Sequence, residues 1–276
     1  MEPPFLPMML NELKAALRAA AKPGAAEFLQ GFFKTGAGEY GEGDVFIGVR
    51  VPALRTLSKE GDELALADIL TLLHSQFHEE RLLALMMLVR RFERGAAKQR
   101  ESIFNLYLRE ARWINNWDLV DLSAPKIVGP WLVDHPRGIL QELVQSANIW
   151  ERRIAVVATY AFIRLGQFDD TLALCESLLL DRHDLIHKAC GWMLREVGKR
   201  DESVLTGFLD RHASRMPRTM LRYAIERLPE AQRKAYLAID YLRHKAAPGS
   251  KTDASKSAKL RCARLSVSKK RGQPNG

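Results

Sequence analysis

The residues best suited to chemistry stand together in Trp113-Ile114-Asn115-Asn116-Trp117-Asp118-Leu119-Val120-Asp121. A short amide at Asn115 or Asn116 can accept an orphan backbone N–H and start a helix near Trp117. On that helix Trp117 and Asp121 are four residues apart and share a face. Leu119 and Val120 point elsewhere, toward a core. One indole beside one carboxylate on rigid backbone can bind something flat or sugar-like and stabilise positive charge. The plainer reading is a core tryptophan and a surface carboxylate, because single helical pairs of this kind are common. Asp118, easily mistaken for the reactive acid, reads as a first-turn helix residue.

Two later stretches repeat the theme. Asn148-Ile149-Trp150-Glu151-Arg152-Arg153 opens a helix with Asn148 as its cap, and Trp150 and Arg153 are three apart. In His187-Lys188-Ala189-Cys190-Gly191-Trp192-Met193-Leu194-Arg195-Glu196 the same spacing joins Trp192 to Arg195. If the three helices line one wall, three indoles, guanidiniums and a carboxylate face one groove. Indole faces pack on sugars and bases, and the planar guanidinium fork suits phosphate. A lone tryptophan on an amphipathic helix is otherwise more often core. Arg215, Arg218, Arg222 and Arg227 form a further strip, either for a nucleic-acid backbone or as a solvated face. His183, Asp184 and His187 lie close, but no third or fourth ligand has metal spacing, so the cluster reads as a helix start. No cofactor-binding or Ser/His/Asp motif stands out, and Cys190 reads as a small core residue.

The elements that must hold these residues are helices. Apolar periodicity predicts them over 8–21, 25–33, 52–59, 64–73, 79–92, 96–109, 117–127, 137–146, 150–165, 168–180, 185–197, 202–212, 217–226 and 229–242. Strand signals are nearly absent. Helix pairs recurring at a regular interval point to an α-solenoid of HEAT-like repeats, stacked so that one helix of each pair lines a concave groove. A compact all-α bundle is the alternative. Residues 34–44 are glycine-rich but lack the ending of a phosphate loop, which excludes nucleotide binding there. They form either a mobile connector or a loop packed over a ligand or backbone.

The 276 residues are 47% hydrophobic and 27% charged, ordinary for a globular chain. Three scattered cysteines, Cys175, Cys190 and Cys262, give no disulfide framework and favour a reduced, intracellular setting. With neither a signal peptide nor an apolar run of membrane-spanning length, a cytoplasmic location and no membrane partner are expected. The net charge is +9, and its location matters. From Arg243 onward ten Lys or Arg face one acid, Asp253, so the tail carries all of it and the body is neutral. A single domain is expected over 1–245 and a disordered basic tail over 246–276. The tail reads as a solvated end or an electrostatic arm for phosphates.

Several motifs in order now match one family. Phe46-Ile47-Gly48-Val49-Arg50-Val51-Pro52-Ala53-Leu54-Arg55 after a glycine-rich run, the stretch 115–121, the stretch 148–153, the stretch 188–196 and 216–226 together resemble the AlkD-like DNA alkylation repair family. The likeness covers about residues 25–245. It implies an α-solenoid of HEAT-like repeats that removes cationic alkylpurines, such as 7-methylguanine and 3-methyladenine, from double-stranded DNA, with the lesion left in the stack. By position, Asp121 matches the catalytic carboxylate, and Trp117 and Trp192 the indoles beside the sugar and backbone. Arg153 matches a backbone-contacting arginine, and Arg195 a further basic residue. Lys188, Arg218 and Arg222 join the expected DNA contacts. Arg152 does too, although it and Asn116 occupy positions where the pattern varies. The expectation is a monomeric, monofunctional DNA glycosylase of base excision repair without a cofactor. A non-catalytic HEAT-like scaffold or DNA-structure-binding module is the rival.

Overall fold

The computed structural model describes residues 8–239, and the basic tail lies outside them. Within them the protein is all-α. The N-terminal part holds α1 (Leu10–Ala19), α2 (Ala25–Phe32), α3 (Val51–Glu60), α4 (Leu66–Leu73), α5 (His78–Arg94) and α6 (Ala97–Arg109). The central part holds α7 (Trp117–Ser123), α8 (Val128–Val133), α9 (Gly138–Val144), α10 (Ile149–Ala158) and α11 (Tyr160–Ile163). The chain continues through α12 (Asp169–Ser177), α13 (Asp184–Gly198), α14 (Glu202–His212), α15 (Arg218–Ala224) and α16 (Glu230–Ala238). The described β-structure amounts to one isolated bridge between Val45 and Phe77.

The packing is that of a solenoid-like stack. One row runs α3–α5–α7–α10–α13–α15, each helix touching the next. Across from it α4, α6, α9, α12 and α14 pack on individual members of that row. Helices of both rows bury apolar faces into one continuous core, which includes Leu83, Met87, Leu119, Val156, Phe162 and Met193. α5 is buried nearly all round because α3, α4, α6 and α7 surround it.

Of the predicted helices, one is cut short and another is divided. The 117–127 segment stops at Ser123 because Pro125 has no N–H to continue the ladder. The chain then re-forms α8, which lies outside the expected helices although Gly129-Pro130 falls within it. Proline is tolerated there because it lies in the first turn, where an N–H has no intrahelical partner. The 150–165 segment is interrupted at Thr159, whose buried hydroxyl donates to the Val156 carbonyl at 2.7 Å.

The glycine-rich loop packs rather than dangles. Its downstream end is gripped by Glu79 at the start of α5. That carboxylate accepts from the backbone amides of Ile47 and Gly48 at 2.8 Å and of Val49 at 3.1 Å. Gly48 sits at φ +93°, a left-handed conformation that glycine adopts without strain. This turns three successive N–H groups toward one buried anion.

Candidate active site

Asn116 caps α7: its Oδ1 accepts the Trp117 backbone N–H at 2.9 Å. The other end of α7 is held by Ser123, which bonds the fully buried Tyr107 hydroxyl at 2.8 Å. Between these anchors Trp117 and Asp121 project on one face, as their spacing requires. Phe33 stacks on Trp117 with ring centroids 5.1 Å apart and planes 17° apart, and Phe32 meets it edge-on at 6.0 Å. The indole is thus backed by two rings and left half-buried.

Asp121 is met by Arg153 from α10, which opens on its own cap, with Asn148 Oδ1 accepting from Trp150 N at 2.9 Å. Arg153 Nε donates to Asp121 Oδ1 at 2.8 Å and its Nη2 to Oδ2 at 2.7 Å. A third guanidinium nitrogen, Nη1, donates to the Leu185 carbonyl. Arg153 is 6% exposed and Asp121 21%, so the pair is desolvated on the arginine side and open on the carboxylate side. Burial pushes the Asp121 carboxyl above its ordinary range, while Arg153 pulls it back and Asp118 adds to the rise.

These residues form one side of a 420 Å³ cleft. The opposite side is α13 and α15, contributing Lys188, Trp192, Arg195 and Tyr223. Trp192 leans on Tyr160 at 6.4 Å. Tyr40 of the glycine-rich loop also lines the cleft and meets Trp150 edge-on at 6.2 Å. α13 and α15 approach closely through Gly191: a Cβ there would stand 2.5 Å from the Met220 carbonyl oxygen. Arg195 pairs with Glu226, and Lys188 with Asp184 at 2.8 Å, both near solvent.

Trp117, Asp121, Arg153, Lys188, Trp192 and Arg195 are therefore brought together. Other expected residues are not. Trp150 is core at 7% exposure, so two of the three repeated indoles face the cleft, not three. Arg152 does not line the cleft: its Nε holds Asp181 at 2.8 Å and its Nη1 the Ser146 carbonyl at 2.8 Å. Arg218 is turned to the Leu237 carbonyl at 2.7 Å. Arg222 is exposed and outside the lining. As the sequence suggests, His183 starts α13, its Nδ1 accepting from Leu185 N at 3.2 Å, and Cys190 is a buried core residue.

Sequence reasoning missed the support behind α7. Asp118 is not a spare first-turn acid, since His78 Nε2 donates to its Oδ2 at 2.9 Å. Asp44 of the glycine-rich loop receives Asn116 Nδ2 at 3.2 Å and pairs closely with Arg81. The density of short polar side chains in Asn115-Asn116 and the acid ending the glycine run were the available signals.

The family model for DNA alkylation repair enzymes matches residues 13–228, most of the chain and every wall of this cleft. The chain belongs to the DNA alkylation repair enzyme family. Its function therefore lies in the repair of alkylation damage in DNA, and the family is one of enzymes. Among solved structures it resembles a predicted DNA alkylation repair enzyme from Enterococcus faecalis. The TM-score is 0.61 at 18% identity, covering 76% of this chain and 97% of that one. At such identity the likeness speaks for the fold. Among curated proteins none matches. No described helix of this family member is long and apolar enough to cross a membrane.

Proposed function

We propose that the protein is a monofunctional DNA glycosylase that hydrolyses the N-glycosidic bond of cationic alkylpurines in double-stranded DNA. The observation that carries this is Asp121, fixed by Arg153 and open to a cleft flanked by Trp117 and Trp192. N-alkylation makes the purine a cation, so it leaves as a neutral base with the bonding electron pair. The sugar then develops oxocarbenium character, which a fixed carboxylate stabilises. Arg153 takes one acceptor site on each oxygen of Asp121, and the remaining lone pairs are free for the sugar and the attacking water. Water adds to the anomeric carbon and gives up its proton to Asp121 or to solvent. The indoles place the sugar and exclude bulk water, while Lys188 and Arg195 contact phosphates. Such a lining suits sugar and phosphate rather than a base edge, so the lesion stays in the duplex.

The test is release of 7-methylguanine from methylated duplex DNA by the wild type beside Asp121→Asn. The wild type is expected to release base well above the spontaneous rate, and the variant to lose about a hundredfold or more. No release by the wild type, with salt-sensitive DNA binding retained, sinks the enzyme reading and favours a binding module.

A further inference from the structure

Behind the cleft lies a buried charge cluster that the base-release reading does not use. Its centre is His78, 1% exposed, the first residue of α5. Its Nδ1 lies 3.0 Å from Asp44 Oδ2 and its Nε2 2.9 Å from Asp118 Oδ2. Both partners are carboxylates, which accept when ionised. Both ring nitrogens must then carry protons, so the ring is an imidazolium. Asp44 is further held by Arg81, Asn116 and Asn115. Phe46 stacks on the imidazolium at 4.4 Å, and Phe33 lies against it at 5.1 Å while stacking on Trp117. The groups facing His78 are thus Asp44 from the loop, Arg81 on its own helix through Asp44, Asp118 from α7, and two rings. Two cations meet two anions, and the cluster is neutral only while the imidazolium keeps its proton.

We infer that His78 is a positioning residue for base release: as a buried imidazolium joining Asp44 to Asp118, it fixes the first turn of α7 and with it Trp117 and Asp121. The inference rests on the glycosylase reading. Asp118 lies next to Trp117 and three residues before Asp121, so freeing it moves both. Losing the proton also leaves Asp118 without its counter-charge, and that charge pushes the Asp121 carboxyl upward. Burial works against the charged ring, but Asp118 and then Asp44 overcome it and raise its pKa to about 9.

Two measurements on the full chain test this. In nitrogen-labelled histidine spectra, one imidazole, absent from His78→Gln, is expected to keep both ring protons at neutral pH and titrate near pH 9. In single-turnover release of 7-methylguanine, the wild-type rate constant of the chemical step, the single-turnover equivalent of kcat, is expected to fall as that ring deprotonates. His78→Gln is expected to keep the helical circular dichroism and its DNA Kd, with kcat lowered about tenfold or more and the alkaline fall gone. A neutral ring at pH 7, or a wild-type rate and pH profile in His78→Gln, overturns the inference and leaves the glycosylase reading intact. Absence of base release by the wild type overturns both. A His78→Gln variant that unfolds is replaced by Asp118→Asn, which keeps an acceptor for the ring and is expected to lower kcat without changing Kd. An unchanged kcat in Asp118→Asn counts against the inference.

Discussion

The two walls of the cleft are built differently. On the α7 wall each carboxylate is held by a buried cation: Asp121 by Arg153, Asp118 by His78, Asp44 by Arg81. On the α13–α15 wall Lys188 and Arg195 pair with Asp184 and Glu226, acids more than half or nearly half exposed. Buried pairs of good geometry are costly to break, whereas exposed ones contribute little. The first wall therefore keeps one shape, and the second can exchange its acids for phosphates at small cost. A fixed carboxylate opposite adaptable cations suits an enzyme that stabilises charge at one point and grips a polyanion around it.

Breaking the first wall should have the largest effect. Arg153→Met strands the carboxylate of Asp121 and should cost about 3–5 kcal/mol in denaturant unfolding. It should also raise the Asp121 pKa further, so the acid-side fall in base release moves to higher pH. The tryptophans come next. Trp150→Ala should lose about 3–5 kcal/mol of stability, because the side chain is core, while base release per folded molecule stays within about threefold. Trp192→Ala should do the reverse, with stability changed by about 1 kcal/mol and base release falling by about tenfold or more.

A milder test uses pH. The folded-state pKa of His78 is raised, so its contribution to stability is whole below about 6.5 and disappears as pH rises through about 9. Thermal unfolding should register this as a falling Tm across that window, amounting to about 3 kcal/mol at most, and His78→Gln should flatten it. The smallest effect belongs to the second wall. Arg195→Ala should change stability by less than about 1 kcal/mol, weaken DNA binding and reduce the salt slope by about one.

What the sequence could show follows from distance along the chain. Trp117 and Asp121 share a helical face at a spacing of four, and Asn116 and Asn148 cap helices within two residues of themselves, so these features were readable. The all-α stack was equally plain from apolar periodicity. The Arg153–Asp121 pair spans 32 positions, and periodicity carries no information about which arginine crosses to which acid. Trp150 and Trp192 each have an arginine three residues on, yet one is core and the other lines the cleft. The difference is rotation of each helix about its axis, which the spacing of a single pair does not fix. His78 stood beside nothing suggestive, and its role exists only through Asp44 and Asp118, 34 and 40 positions away.

The glycine-rich loop bears on when the site comes into being. In a stack of helix pairs most contacts join near neighbours in the chain, and such contacts form early and fast. Asp44 reaches Asn116 across 72 positions, more than twice the separation of Arg153 from Asp121. Refolding chains should therefore regain helical circular dichroism before the loop docks under α7, and catalytic competence should emerge as a later, separate kinetic phase.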